Sequence, residues 1–421
     1  MPVDQRLRAQ IQLILDSLDD AAAFPDPQRW DAVDDVDYLY RKNAVLVREP
    51  DADRLVTTLT QSYGPARGAD AAAQPPPFER RPVTRGVLGV TLPPHLPPVP
   101  DVLDGLDRAL GPGVATPDHV LYVCPYACPA AEPAEVPAGT VNPVPPAGTP
   151  RPECDGHGVM VSIVDTGLLP GASARHSWLT GVDGVPEDAF APGTGYILPY
   201  AGHGTFAAGC MRCAAPKASA YVERAFDIAG ANYESRLAPS LEDALSRNPD
   251  VLEFTFTTSS RGDRPLHTFD DIYESSIRPR EGLVVVAPAG NDGKSRRMWP
   301  AAYPWVVSVG ALSADWRSRA SFSNFGAWVD VFAPGEDLVN AYADGTYVCN
   351  EPPVGEHRKF QGMAMWSGTS FSTPIVAGLI AGRMSATGEN GRQAAAALLK
   401  LAGSQAIPGV GAVLYPGDAC R

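Results

Sequence analysis

The sequence lacks any apolar run long enough to cross a membrane. A membrane-spanning helix needs about 18 or more consecutive apolar residues, and every apolar stretch of this 421-residue chain is shorter. The amino-terminal end carries Arg6, Arg8, Asp16, Asp19 and Asp20 among its apolar residues, so it also lacks the uninterrupted apolar core of a signal peptide. These absences predict a protein without a membrane anchor that is made and kept in the cytoplasm.

Positive charge is also scarce. The chain has 34 Lys and Arg residues against 48 Asp and Glu residues, a formal net charge of -14. Nucleic acids and anionic membranes are bound through basic surfaces. We therefore expect neither of them to be a partner of this protein.

Cysteines are few, and their spacing suggests no framework of disulfides. There are seven, an odd number. Two groups raise the alternative of a metal site, but both depart from the usual zinc spacings. The favoured interpretation is reduced structural thiols and no bound metal. The two groups are Cys210 with Cys213, and Cys124, Cys128 and Cys154 with His157.

The chain does have enough apolar residues for a large core. Hydrophobic residues make up 44% and charged residues 19% of the sequence. A chain of this length and composition is expected to fold into two or three domains.

The first third of the chain predicts a small α+β module, residues 1–125. Its apolar periodicity and turn residues indicate three helices and three strands. A stretch rich in Pro and Ala follows, residues 126–153, and its composition predicts an extended linker. The predicted elements are helices 3–18, 51–63 and 101–110 and strands 43–47, 86–92 and 119–124.

Beyond the linker, residues 154–421 predict an α/β domain with a mostly parallel sheet. The segments 159–164, 251–256 and 283–287 are continuous apolar runs. Such runs are typical of parallel strands that are covered on both faces.

Two polar residues stand where this sheet would bind a ligand. Asp165 directly follows the first strand, and ligands of open α/β sheets bind at the carboxyl ends of the strands. His203 lies between Gly202 and Gly204 at the start of a run of small residues, where a base would have close access to a nucleophile. The alternatives are a capping role for Asp165 and a structural role for His203, as we expect for His157.

Asn291 and Ser370 complete the set of candidates. Asn291 follows Ala289 and Gly290 in a glycine-rich turn after a strand, where its amide group would offer a donor to an oxyanion. Ser370 opens an apolar helix. This position exposes its hydroxyl and points backbone amides at negative charge that develops there. Taken singly, Asn291 is equally typical of a turn, and Ser370 of a helix cap.

Taken together, these segments closely resemble the motifs of the subtilisin-like serine peptidases. The order acid, base, oxyanion donor, nucleophile is that of subtilisin. The resemblance extends over residues 154–415. It rests on DTG at 165–167, GHGT at 202–205, AGN at 289–291 and GTSFSTP at 368–374.

The resemblance implies a three-layer subtilisin-like fold and a peptidase with a catalytic triad. In that family, the residue matched by Ser370 attacks the peptide carbonyl, that matched by His203 transfers the proton, and that matched by Asp165 orients the imidazole. Asn291 would stabilise the oxyanion. Proteins or peptides would be the substrates, and no cofactor would be required.

The expected substrate-binding residues depart from the family pattern. Family members usually have a serine, an apolar residue and glycines after the central strand. Here that stretch is 255–259, and its branched residues predict a narrower pocket and a restricted set of substrates. With Ala289 and Gly290, the predicted substrate-binding residues are Thr255, Phe256, Thr257, Thr258 and Ser259.

Two further features of the sequence do not indicate a definite role. An insertion between Asn340 and Met365 predicts either a lid or a solvated surface loop. The family's calcium sites are possible here but match no definite residues, although Asp183, Glu187 and Asp188 form an acidic turn.

The amino-terminal module resembles the inhibitory, folding-assisting propeptides of the family in its order of elements, but in no motif. We expect residues 1–125 to cover the active site or to assist folding, with or without being removed. Two alternatives stay open. One is a catalytically silent subtilisin-like protein that serves as a binding module, and the other is a processing enzyme dedicated to one precursor.

Overall fold

The computed structural model describes residues 5–24, 36–64, 78–123, 132–146, 152–226, 228–351 and 353–421. The helices are α1 (Gln5–Ser17), α2 (Ala52–Tyr63), α3 (Val99–Leu110), α4 (Ala172–Arg175), α5 (His203–Ala214), α6 (Glu234–Ser246), α7 (His267–Ile272), α8 (Thr369–Thr387) and α9 (Gly391–Ser404). None of the helices in these ranges is both long and apolar enough to cross a membrane.

The strands belong to three sheets. They are β1 (Ala21–Phe24), β2 (Tyr38–Arg48), β3 (Arg80–Pro82), β4 (Val87–Thr91), β5 (Ala115–Tyr122), β6 (Met160–Asp165), β7 (Val182–Gly184), β8 (Ser219–Arg224), β9 (Ala231–Tyr233), β10 (Val251–Phe254), β11 (Val284–Pro288), β12 (Val306–Leu312), β13 (Val331–Pro334), β14 (Leu338–Val348) and β15 (His357–Trp366).

The largest sheet has seven strands in the order β13-β12-β11-β10-β6-β8-β7, and each neighbouring pair is parallel. All residues of β10, β11 and β12 are buried, which explains why these strands have no polar alternation in sequence. Helices α5 and α8 pack on each other and against this sheet, and α6 packs against β6 and β8. The predicted α/β fold with a parallel central sheet is confirmed.

A second sheet lies in the amino-terminal part of the chain. Its strands run in the order β3-β4-β2-β5-β9, with β1 paired to β2. Helices α2 and α3 contribute Leu55, Leu59, Leu103 and Leu106 to its core. The sequence did not predict β1 or β3. All three residues of β3 are exposed, so this strand leaves no apolar pattern.

Strand β9 joins the two parts of the molecule. It comes from residues 231–233, far along the chain, yet it pairs in antiparallel fashion with β5 of the amino-terminal sheet. The two parts therefore share a sheet across the predicted boundaries at residues 125 and 153. The division into domains at these residues stays a prediction.

A disulfide corrects the interpretation of the cysteines. Cys154 and Cys420 are bonded, with Cα atoms 5.8 Å apart, whereas Cys210, Cys213 and Cys349 are free and buried. A separation of 266 residues cannot be paired from sequence spacing alone. Because disulfides are typical of oxidising compartments, the cysteines no longer support a cytoplasmic location, which stays a prediction. Cys124 and Cys128 lie outside the described residues.

Candidate active site

Asp165 is the last residue of β6, and its side chain is fully buried. Its backbone carbonyl accepts hydrogen bonds from Ala225 and Phe226, and its carboxylate accepts one from the Thr166 amide at 2.6 Å. The strand end therefore holds the carboxylate in one orientation. This is the carboxyl edge of the sheet, as the sequence predicted.

His203 is the first residue of α5, and its ring meets the Asp165 carboxylate. The His203 Nδ1 atom lies 2.9 Å and 2.8 Å from the two carboxylate oxygens. Because a carboxylate can only accept, Nδ1 carries the proton and Nε2 has a lone pair. An imidazole in this tautomer can act as a general base through Nε2.

Two glycines allow the close approach of α5 to β6. Gly202 caps the helix with φ 81, a left-handed conformation that favours glycine. A Cβ atom on Gly204 would lie 2.5 Å from the Gly167 carbonyl oxygen and 3.2 Å from the Asp165 Cβ. The glycines on either side of His203 are therefore required by the geometry of the pair.

Aromatic rings surround the imidazole. The ring centroid of Trp366 lies 5.4 Å from that of His203, edge to face, and that of Phe371 lies 4.8 Å away. Among the described residues, His203 Nε2 has no hydrogen-bond partner. No sequence pattern indicated a role for Trp366. The position of Phe371, directly after Ser370 in the matched motif, was an available signal for its role.

Ser370 is the second residue of α8 and is buried. Its Oγ lies 2.7 Å from the Val123 carbonyl oxygen and 2.9 Å from the Thr255 carbonyl oxygen. A single hydroxyl proton can be donated to only one of them at a time. The end of the amino-terminal part of the chain is therefore in direct contact with the predicted nucleophile.

Asn291 lies beside the start of α8. Its Oδ1 accepts hydrogen bonds from the Thr369 amide at 2.9 Å and from the Thr369 hydroxyl at 2.8 Å. Because Thr369 holds the oxygen of the carboxamide, the nitrogen Nδ2 is the group that can donate to an oxyanion. Thr369, a residue of the matched motif for which the sequence predicted no role, thus sets the orientation of Asn291.

The predicted substrate-binding residues fall into two groups. Thr257 exchanges two backbone hydrogen bonds with Tyr122, at 3.1 Å and 2.9 Å, and the Thr258 hydroxyl donates to the Val120 carbonyl at 2.8 Å. Ser259 Oγ donates to the Asp37 carbonyl at 2.5 Å. Together with Thr255, these residues therefore line a cleft that residues of the amino-terminal part occupy.

The other predicted substrate-binding residues face the interior. Phe256 packs among Phe226, Phe254 and Phe269, with ring centroids 5.1 to 6.2 Å apart. The Ala289 carbonyl accepts from the Asn324 side chain, and the Gly290 amide donates to the Thr369 hydroxyl. All three of these residues are buried.

The opposite wall of the cleft is β9 and the residue before it. Val123 donates its amide proton to the Gly230 carbonyl at 2.9 Å, and Tyr122 pairs with Ala231. The end of β5 and Val123, residues 120–123, thus lie between β9 and Thr257. No sequence motif marks Gly230 or β9, so this wall was missed.

Two buried acids lie near Asp165. Burial raises the pKa of Glu187 to about 8, and the Asp165 carboxylate acts in the same direction; Glu187 accepts from the Gly202 amide at 2.9 Å. Burial, followed by Asp165, also raises the pKa of Glu253 well above its usual range. For each of these acids, burial and the neighbouring Asp165 carboxylate therefore both disfavour the charged form.

The acidic turn does not come together as an ion site. Glu187 is buried, Asp183 is exposed on β7, and Asp188 pairs with Arg224 at 2.9 Å. Across the described ranges, no group of three or more His, Cys, Asp or Glu side chains is placed to hold a metal ion. Calcium binding stays a prediction without a placed site.

Comparison with known families identifies the fold and the class. The model of the subtilase family matches residues 156–407. The chain belongs to the subtilase family.

Curated relatives of this subtilase are similar over about half of the chain. Subtilisin DY from Bacillus licheniformis is 31% identical over 239 residues, which cover 54% of this chain and 76% of that protein. Subtilisin NAT from Bacillus subtilis subsp. natto is 31% identical over 242 residues, which cover 54% of this chain and 55% of that protein. The family match and these relatives support a serine-type endopeptidase.

A solved structure is similar in fold over most of the subtilase chain. Fervidolysin from Fervidobacterium pennivorans, described as a keratinolytic enzyme related to subtilisin, is 18% identical with a TM-score of 0.57. The match covers 90% of this chain and 61% of fervidolysin. At this identity the similarity extends to the fold alone.

Proposed function

We propose that this subtilase hydrolyses peptide bonds through a triad of Asp165, His203 and Ser370. The observation that carries the proposal is the buried pair in which His203 Nδ1 faces both oxygens of Asp165 at 2.8 and 2.9 Å. This arrangement fixes the tautomer that a general base needs. A silent binding protein would have no need for such a pair, and that alternative is not favoured.

The proposed reaction gives each of these residues one role, once Ser370 Oγ has left the Val123 and Thr255 carbonyls and turned to His203. Ser370 Oγ attacks the substrate carbonyl carbon while His203 Nε2 takes its proton, and Asp165 stabilises the imidazolium. Asn291 Nδ2 and the Ser370 amide donate to the oxyanion. His203 then returns the proton to the leaving amine, which leaves an acyl group on Ser370. Water, activated by the same imidazole, hydrolyses this ester and restores the hydroxyl.

The cleft supports binding of an extended peptide. Its walls, β9 and Thr257, offer backbone groups to a strand between them, the mode in which main-chain hydrogen bonds supply affinity and side-chain pockets supply specificity. In the structure, residues 120–123 occupy the place of such a strand between β9 and Thr257. The branched side chains at 255–259 support a restricted set of substrates and hence a processing or regulatory role.

A fluorophosphonate probe and a peptide digest test the proposal. We expect the purified chain, once residues 120–123 are released from the cleft, to be labelled covalently at Ser370 and to cleave a proteome-derived peptide mixture at a narrow set of sequences, both effects being lost in Ser370→Ala. Mass spectrometry identifies the labelled residue and the cleaved bonds. Absence of labelling and cleavage after release of residues 120–123 from the cleft would favour the silent alternative, and unselective cleavage would refute restricted specificity.

We further propose that the amino-terminal part inhibits the enzyme by filling its cleft. Beyond the strand contacts of residues 120–123, the Asp118 carboxylate accepts from the Ser235 amide at 2.9 Å and hydroxyl at 2.6 Å, at the start of α6. His119 Nδ1 donates to the buried Glu234 at 3.1 Å. These contacts support a module that binds the catalytic part as a preorganised partner, and they are also compatible with the predicted folding aid.

Tyr122→Pro is expected to raise the rate of fluorophosphonate labelling by about tenfold or more. Proline removes the amide donor to Thr257 and disfavours strand pairing, so the loss of even about 1.4 kcal/mol of docking energy exposes Ser370 tenfold more often. The rate constant of labelling is measured on full-length protein. Tyr122→Phe, which keeps the backbone hydrogen bonds, is the matched control and should label like the wild type. Equal rates for Tyr122→Pro and wild type would argue against inhibition.

A further inference from the structure

Part of the predicted linker is bound along the catalytic part of the molecule. Ala134 exchanges two backbone hydrogen bonds with Met365, at 2.8 and 2.9 Å, and Val144 exchanges two with Val339, at 2.8 and 3.0 Å. Met365 and Val339 are themselves partners across the hairpin β14–β15. Residues 132–146 therefore loop around this hairpin and pair with both of its edges.

Side chains anchor the loop at each end. The Glu132 side chain is buried, and its Oε1 accepts from the Tyr347 hydroxyl at 2.7 Å and the Asn350 amide at 2.6 Å. At the other end the Cys213 thiol, on α5, donates to the Pro145 carbonyl at 3.1 Å. A freely moving linker has no such contacts, whereas most buried polar groups in folded proteins are hydrogen-bonded.

The hairpin leads directly to the nucleophile. Strand β15 ends at Trp366, the residue after the Ala134 partner Met365, and Ser370 follows four positions later. The Trp366 side chain is fully buried, with its ring 5.4 Å from His203 and 5.2 Å from Phe371. The pairing at Met365 therefore limits the movement of the ring that packs against the catalytic base.

We infer that residues 132–146 form a permanent strap of the catalytic unit, and that they position Trp366 and the loop before Ser370. The inference rests on the proposed function of Ser370 and His203. It also moves the start of the catalytic unit from the predicted residue 154 to about residue 132. Glu132 and Ala134 are positioning residues, since they act through the hairpin and do not touch the reacting groups.

The unpaired edges of the hairpin and a side-chain hydrogen bond support this assignment over a passive surface contact. An isolated two-stranded hairpin is marginally stable and leaves two edges unpaired, whereas the strap pairs both edges. It adds an ordered contact from Arg358 Nη1 to the Pro133 carbonyl at 2.9 Å. The insertion at 340–365 is accordingly for the most part a paired hairpin and not the predicted solvated loop, while a role as a lid stays a prediction.

Ala134→Pro tests the strap. Proline lacks the amide proton that bonds to Met365, so the hairpin end should loosen. We expect the rate of labelling of Ser370 and the kcat for peptide cleavage to fall by about 10–100-fold. KM should be unchanged, because the strap lies outside the cleft. The control is Ala138→Pro, in the exposed turn that the bond from Thr140 to Pro137 closes, and it should behave like the wild type. All variants are compared in full-length protein that also carries Tyr122→Pro.

A second readout does not depend on activity. Hydrogen exchange of the amides at 366–371 should become faster in Ala134→Pro and not in Ala138→Pro. If these amides exchanged faster in Ala134→Pro but Ser370 was never labelled in the reference protein with Tyr122→Pro, the proposed function would be refuted and the strap would stand. Unchanged exchange together with an unchanged labelling rate would overturn the strap.

Glu132 gives an independent pair of variants if Ala134→Pro fails to fold. Glu132→Ala removes the acceptor for Tyr347 and Asn350 and should lower kcat and the labelling rate in the same way. Glu132→Gln keeps the Oε1 acceptor and should restore both to within about threefold of the reference. Equal loss in Glu132→Gln, or no loss in Glu132→Ala, would contradict a positioning role.

Discussion

Replacement of His203 by alanine is expected to abolish turnover, with a fall in kcat on the order of 10⁶-fold and little change in KM. Loss of the corresponding histidine has an effect of this size in subtilisin itself, a relative of this chain. The reason lies in the site. Without the imidazole, no base remains to take the proton of Ser370, whereas the cleft between β9 and Thr257 is left intact.

The chain provides a matched control for this change. His157 also lies between two glycines, Gly156 and Gly158, but it is exposed and precedes β6. His157→Ala should therefore keep kcat within about threefold of the wild type. Rates are measured with a peptide substrate in protein that carries Tyr122→Pro, after titration of the active fraction. If His203→Ala retained more than a hundredth of the activity, another group would have to act as the base.

Gly204→Ala is expected to lower kcat by at least about 10²-fold. The new Cβ would lie 2.5 Å from the Gly167 backbone oxygen and 2.9 Å from Val222 Cγ1, so the first turn of α5 must shift away from β6. A displacement of about 1 Å at a catalytic pair is enough for such a loss. Circular dichroism and kcat are measured on the same preparations.

Gly403→Ala is the matched control for a glycine within a helix. No atom lies within 4 Å of the Cβ that it would add in α9. Alanine should therefore be tolerated and should stabilise the helix by about 0.5–1 kcal/mol. Full activity of Gly204→Ala, with an unchanged thermal midpoint, would mean that α5 does not need to approach β6 this closely.

The parallel sheet, and the position of the candidate site at the carboxyl ends of its strands, were predictable from the sequence. The apolar runs at 251–256 and 283–287 predicted buried strands, and Asp165 and Asn291 follow predicted strands in the sequence. Ser370 and the glycines around His203 matched motifs of a known family. These signals are local, since each depends on a few neighbouring residues and on the sterics of helix and strand termini.

Other features depend on contacts between distant segments. The pairing of β5 with β9, the disulfide between Cys154 and Cys420, and the strap around the hairpin join residues about 100 to 270 positions apart. Antiparallel pairing uses backbone groups that every residue except proline has in full, so composition carries little information about the partner. A stretch rich in proline and alanine therefore looked like a free linker although part of it lies along a hairpin.

The sequence by itself indicated the parallel sheet through its apolar runs, and it indicated the family and the four candidate residues Asp165, His203, Asn291 and Ser370 through their resemblance to known motifs. Only the tertiary structure decided what surrounds them. It brought Val123 to within 2.7 Å of Ser370, buried His203 against Trp366 and tied residues 132–146 to the hairpin. These outcomes arise from backbone hydrogen bonds and packing between remote segments, which become visible only once the chain has folded.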